Sequence, residues 1–210
     1  STRKESSAAS DVYKRQVSRR VLLALSIVCA PAVHASPEPT INFKIQHYSV
    51  SGSTTAEISS SVFKNTPVVM NGNRFGAVTH NQFNTGYSTV STASGGCEVK
   101  NARIVLNSTI VLPNLVRNGQ SPAVLAEWER YIGALRAHEQ MHANNGKYTA
   151  ETLISRLYNF RAEMPCPSMR AKLDQAVDRL INNMGAWDQQ LDSQTEHGKS
   201  QGAYLRPGFR

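Results

Sequence analysis

The chain has 210 residues, 40% of them hydrophobic and 18% charged, with a formal net charge of +8 at pH 7 and three cysteines. That length is enough for one ordinary domain with a real core. The charge is not gathered into any Lys/Arg block, which argues against a nucleic-acid partner and reads instead as solubility.

The first segment, residues 1–16, is polar and aperiodic, and its "DVYKRQ" resembles the translation of a sequencing-library adapter, so it reads as a sequencing or assembly scar. Arg19 and Arg20 then precede the apolar run "VLLALSIVCAPAV" and the small residues before Ser36. A charged start, a short apolar centre and a small-residue cleavage site make residues 17–35 a secretory signal peptide cleaved after Ala35. Thirteen apolar residues interrupted by Pro31 are too few to span a bilayer. No later stretch is apolar enough for stable membrane insertion, so the expected location is periplasmic or secreted. Cleavage after Ala35 takes away residues 1–35 with six cationic and two acidic side chains, leaving 17 against 13, a net charge of +4. It also removes Cys29, and in an oxidising compartment Cys97 and Cys166 are then a natural disulfide pair. The loop so closed stabilises by about 4 kcal/mol in the chain-entropy model.

Residues 36–210 read as a single α+β domain. From Ile41 to Leu112 the pattern is short and strand-like: Ile41, Phe43 and Ile45 alternate with polar neighbours, as does Val99 before Ile104, Leu106, Ile110 and Leu112. Gly52, Asn71-Gly72 and Gly95-Gly96 punctuate these runs, and "TTAEISSSVFKNTP" has room for one short helix. A small antiparallel sheet is expected here. After Pro113 the period becomes helical. Ser121 can cap a helix with Pro122 at its first position, and Leu125, Trp128, Ile132, Leu135, Ile154 and Leu157 recur along it until Pro165 and Pro167 stop it near Glu163. Ser168 can cap a second helix, whose Leu173, Val177, Leu180, Ile181, Met184, Trp187 and Leu191 form one stripe. The expected architecture is therefore a sheet followed by a long helical hairpin, zincin-like.

The first helix of that hairpin carries "HEQMH". Residues four apart lie one turn apart on one helical face, so His138 and His142 can offer imidazole nitrogens to one Zn²⁺ ion. Glu139, beside them, can hold a water and take its proton without coordinating. Zinc with three protein ligands and an open fourth position brings bound water to a pKa of about 7. For the third ligand, Glu151 points to the opposite side of a continuous helix, and Glu163 would lie roughly 30 Å from His142 unless the helix breaks near Gly146. An antiparallel second helix returns level with the motif at residues 190 to 194. His197, just beyond, is the histidine placed to complete a three-histidine site, with Asp188 and Asp192 as carboxylate rivals or supporting partners. His47 and His80 fit ordinary polar strand positions. Tyr148, Arg136 and Tyr204 are candidates for an oxyanion donor.

Taken in order, "YSVSGST", "GGCEVKNARIVLNSTIVLP", "WERYIGALRAHEQMH" and "TEHGKSQGA" resemble a bacterial family of unknown function whose members are described as predicted secreted zinc-dependent proteases. The resemblance runs from Ile41 to Ala203. It implies His138 and His142 as metal ligands, Glu139 as base and His197 of T-x-H-G as a further ligand. The stretch "AVTHNQFNTGYS" departs from the Trp-rich strand expected at that place. The expectation is a zinc peptidase acting on a peptide or protein substrate. A peptidoglycan amidase using the same chemistry, and a non-catalytic envelope assembly protein with a structural metal or none, are the alternatives.

Overall fold

The computed structural model describes residues 37–210; the expected scar, signal peptide and cleavage point lie outside the described residues. The chain begins with β1 (Thr40–Val50) and turns into α1 (Thr55–Asn65). Thr54 caps α1 by accepting from the Glu57 amide, while the Glu57 carboxylate reaches back to the Thr54 amide, so two orphan donors of the helix start are satisfied. A two-residue hairpin joins β2 (Val69–Met70) to β3 (Asn73–Arg74). Its tip, Asn71 and Gly72, has φ of 52° and 79°, the left-handed pair that such a tight turn requires. Then come β4 (Val78–Ser91), β5 (Cys97–Leu115), α2 (Pro122–Leu157), the short β6 (Arg161–Ala162) and α3 (Cys166–Thr195).

The main sheet has the order β1-β5-β4, with β6 extending β5. β4 and β5 form the antiparallel pair expected of neighbouring strands, with a register shift between Gly86 and Ser88. The expectation of an antiparallel sheet fails at the other edge. β1 pairs with β5 in parallel, from Thr40 against Val105 to Val50 against Leu115, so the sheet is mixed. α1 and the β2–β3 hairpin return the chain to β4, whose hairpin then inserts β5 between β4 and β1. A central strand antiparallel to one neighbour is here parallel to the other. Period-two alternation reports which face a side chain occupies, not which way the adjacent strand runs.

The helical hairpin is present, with shifted boundaries. α2 ends at Leu157 rather than near Glu163, because Tyr158 is already extended and Asn159 turns left-handed at φ 55°. α3 starts at Cys166, before the anticipated Ser168 cap, and Cys166 is disulfide-bonded to Cys97 as its sequence context suggests. Trp187 departs from the predicted stripe, being 42% exposed.

The core is in two parts. One packs Val50, Ile58, Val62, Ile110, Leu112 and the first half of α2 through Trp128 and Leu135. The other packs Val99, Ile104, Leu106 and the second half of α2 against Met169, Leu173 and Val177 of α3. Between Leu106 and Ile110 the inward position of β5 is Ser108, opposite Asn81 of β4. Opposite this polar gap lies the turn of α2 that carries the histidines. No helix among the described residues is long and apolar enough to cross a membrane.

Candidate metal centre

α2 places His138, Glu139 and His142 together, all buried. Buried polar side chains need partners. β4 supplies two of them. Thr79 Oγ1 lies 2.7 Å from Glu139 Oε2 and 2.9 Å from the Glu139 carbonyl, and Asn81 donates to the His142 carbonyl at 2.9 Å while accepting from Ser108 at 2.8 Å. Asn81 can reach that carbonyl because residue 146 is glycine: a Cβ there would lie 2.5 Å from the Asn81 side chain.

α3 returns antiparallel, as the hairpin argument requires, and delivers Asp188 and Asp192 one turn apart. Asp192 Oδ1 sits 3.0 Å from His138 Nε2 and 3.2 Å from His142 Nε2, and the two Nε2 atoms are 3.3 Å apart. The other nitrogen of each ring is also engaged. His142 Nδ1 meets Asp188 at 2.9 Å, and His138 Nδ1 meets Gln201 at 2.9 Å. Asn145 donates to the same Asp188 oxygen at 3.0 Å and holds it in place. Asp188 and Gln201 can each accept from an Nδ1–H, which leaves the Nε2 of each ring, beside Asp192, as the atom that would turn to an ion.

His138, His142 and Asp192 each offer one ligand atom, all within 4.8 Å of one another. Tetrahedral zinc with bonds of about 2.0–2.1 Å would separate its donor atoms by about 3.3 Å. The observed Nε2 to Nε2 spacing matches that, and imidazole with carboxylate is a donor set that zinc accepts, so these residues fit a divalent ion of that kind. His197 stands outside this group. Its Nδ1 is 3.5 Å from Asp192 Oδ1, and its ring is 49% exposed and rests against Phe75 with centroids 4.5 Å apart. Glu196, His197 and Gly198 all have left-handed φ, 51°, 54° and 81°. Gly198 passes so close to the His138 ring that a Cβ would lie 2.8 Å from it, which accounts for the glycine of T-x-H-G.

The charges follow from this packing. Burial pushes the Glu139 carboxyl above its ordinary range, opposed by the Thr79 hydrogen bond and the two imidazoles. Burial also disfavours a charged His142, but hydrogen bonds to Asp188 and Asp192 overcome it and raise its pKa to about 10. Asp192 is disfavoured by burial too, yet its bonds to His138 and His142 hold it well below the usual carboxylate range. Glu139, His142, Asp192 and His197 open onto one cleft of about 580 Å³, walled by α1, β3 and the segment after α3.

Of the other sequence candidates, Glu151 pairs with Lys147 at 3.7 Å on an exposed face. Glu163 follows α2 and approaches Gly96 at the far end of β5. His47 and His80 are exposed strand residues, and Tyr148 is exposed on α2, while Tyr204 lines the cleft. Thr79, Asn81, Asn145 and Gln201 were not legible as site residues. Each is an ordinary polar residue far along the chain from the side chain it serves, and no spacing rule links them.

A family model described as a bacterial protein of unknown function matches residues 45–198. That span encloses Thr79, the histidine motif, both aspartates and His197. No curated protein and no solved structure matches this chain.

Proposed function

We propose a hydrolytic role for this chain, which belongs to the bacterial family of unknown function DUF922: a zinc-dependent peptidase acting in an oxidising compartment outside the cytoplasm. The observation that carries the reading is the pairing of two imidazoles, each held by its Nδ1, with a buried carboxylate that opens on the same cleft. His138, His142 and Asp192 would hold the ion. When bound, zinc supplies a Lewis acid that polarises a scissile carbonyl and acidifies water.

The chain's own residues do the rest. Asp188 and Gln201 fix the ring orientations, so that neither imidazole must reorganise. Glu139 accepts the proton of the attacking water at its carboxylate and gives it to the departing amine. Burial, which raises the Glu139 pKa, makes it a stronger base than an exposed carboxylate, and the Thr79 hydroxyl keeps its Oε2 in place. The Cys97–Cys166 disulfide supports the compartment, since such bonds persist where thiols are not kept reduced.

One observation favours a second reading. His197 lies 3.5 Å from Asp192, and a small swing of its half-exposed ring would add a fourth protein ligand. A closed four-ligand site is structural rather than catalytic. Glu139→Gln separates the two: the amide cannot accept a proton, so the variant should retain one zinc per chain and lose peptide hydrolysis. Equal hydrolysis by wild type and variant would remove Glu139 from the reaction.

A further inference from the structure

The cleft has two chemically different arms. Glu139, His142, Asp192 and His197 line one; Phe63, Met70, Tyr131, Leu135 and Leu205 line the other, and Phe75, against the His197 ring, stands where the two meet. α2 sets the distance between them. Tyr131, Leu135 and Glu139 follow one another at four-residue steps on one face, so the apolar arm begins about 6 Å from Glu139 and continues for about another 6 Å. That is the depth of one large side chain. Its mouth stays apolar where solvent reaches it, with Phe63, Met70 and Tyr204 exposed by 50, 40 and 44%. Exposed large apolar groups gathered at one opening are a feature of binding sites. The whole volume, about 580 Å³, falls in the range of ligand clefts.

We infer that the residue flanking the bond under attack carries a large apolar side chain, and that the arm between α1, β3 and the Tyr131–Leu135 face of α2 selects it. This rests on the hydrolytic reading above for its place beside the scissile bond, while the pocket itself does not need the metal. An aromatic or long aliphatic side chain removes its own surface and that of the cleft mouth from water together. An acidic side chain would lose hydration against Phe63, Met70, Tyr131 and Leu135, a loss that Arg74 on the β3 wall offsets in part.

The test therefore uses metal-free protein first. Methyl NMR titrations with N-acetyl-phenylalanine amide, N-acetyl-glycine amide and N-acetyl-aspartate amide should shift the methyls of Ala77, Leu135 and Leu205, with the phenylalanine compound binding about 10- to 100-fold more tightly than the glycine one. Ser59→Trp, which fills the arm from α1, should abolish that preference without touching the histidine cluster. Phe63→Ala, at the exposed rim, should weaken it several-fold. Indistinguishable binding of the phenylalanine and glycine compounds, or an unchanged preference in Ser59→Trp, would overturn the inference. Hydrolysis of peptides that differ only at the flanking residue is measured separately on zinc-loaded protein. Selective binding without hydrolysis would sink the enzymatic reading and leave the pocket standing; hydrolysis indifferent to the flanking residue would do the reverse.

Discussion

Gly146→Ala is expected to destabilise a helix that alanine ordinarily strengthens. In a helix interior the exchange is worth about 1 kcal/mol in favour of alanine. Here the new Cβ would lie 2.5, 2.6 and 2.7 Å from three atoms of the Asn81 side chain, distances at which Asn81 must rotate away. Rotation breaks its 2.9 Å bond to the His142 carbonyl and its 2.8 Å bond from Ser108, whose side chain is buried. The His142 carbonyl keeps its helical partner, but the Ser108 hydroxyl is stranded. Two lost bonds at about 1 kcal/mol each, with up to about 2 more for the stranded hydroxyl, exceed the propensity gain. The net is a loss of about 1–3 kcal/mol. Urea unfolding of metal-free protein measures it, and a double-mutant cycle supplies the control. In an Asn81→Ala background the three atoms nearest that Cβ are gone, so the same Gly146→Ala change should stabilise by about 1 kcal/mol. If Gly146→Ala raises stability in both backgrounds, Asn81 does not occupy the space that the glycine leaves, and the polar link between β4 and the histidine turn is wrong.

The remaining predictions concern the metal and the charges around it. His138→Ala, His142→Ala and Asp192→Ala should each lose stoichiometric zinc in a chelator competition, Asp188→Asn and Gln201→Ala should weaken it about 10- to 100-fold, and Glu151→Ala and Glu163→Ala should leave it intact. His197→Ala should keep most of the affinity; a loss equal to that of Asp192→Ala would mean a closed site. Because the folded pKa of His142 is raised from 6.5 to about 10, its contribution to the metal-free protein is complete below pH 6.5 and lost as pH rises through 10, so the urea midpoint should fall over that interval. Zinc must displace that proton, and calorimetry at pH 8 in buffers of different ionisation enthalpy should find about one released per ion. Arg206→Ala should cost about 2 kcal/mol in urea unfolding, since it removes one of two guanidinium groups from the fully buried Glu127 carboxylate; no change would mean that Arg130 alone suffices.

What the sequence made legible follows the range of its signals. Helical spacing put His138 and His142 on one face, and hairpin arithmetic brought residues 190 to 194 level with them, a window that contains Asp192. Cysteine count after removal of the leader named the disulfide. The parallel pairing of β1 was hidden, because its alternation is the same whichever way β5 runs. The end of α2 was misplaced by reading Pro165 and Pro167 as the stop signal, when the left-handed turn at Asn159 already ends it, and the start of α3 by reading Ser168 as its cap, when the helix opens at Cys166. The supports of the site were hidden for a different reason. Gln201 on His138 and Thr79 on Glu139 are contacts across 63 and 60 residues, fixed only once the fold is closed.

The disulfide between Cys97 and Cys166 joins the first residue of β5 to the first residue of α3. Mechanically, it is the pivot of a lever. Asp192 is 26 residues further along α3, a lever arm of about 39 Å at 1.5 Å per residue. A tilt of about 5° at the pivot would carry the tip about 3.4 Å, as far as the whole gap between Asp192 and the imidazoles. The opposite end is held by the chain after α3, where Arg130 donates to the Gly202 and Tyr204 carbonyls and Glu127 grips Arg206. α3 is thus fastened at both ends by contacts that do not touch Asp192, and between them by its packed face and by Asn145 on Asp188.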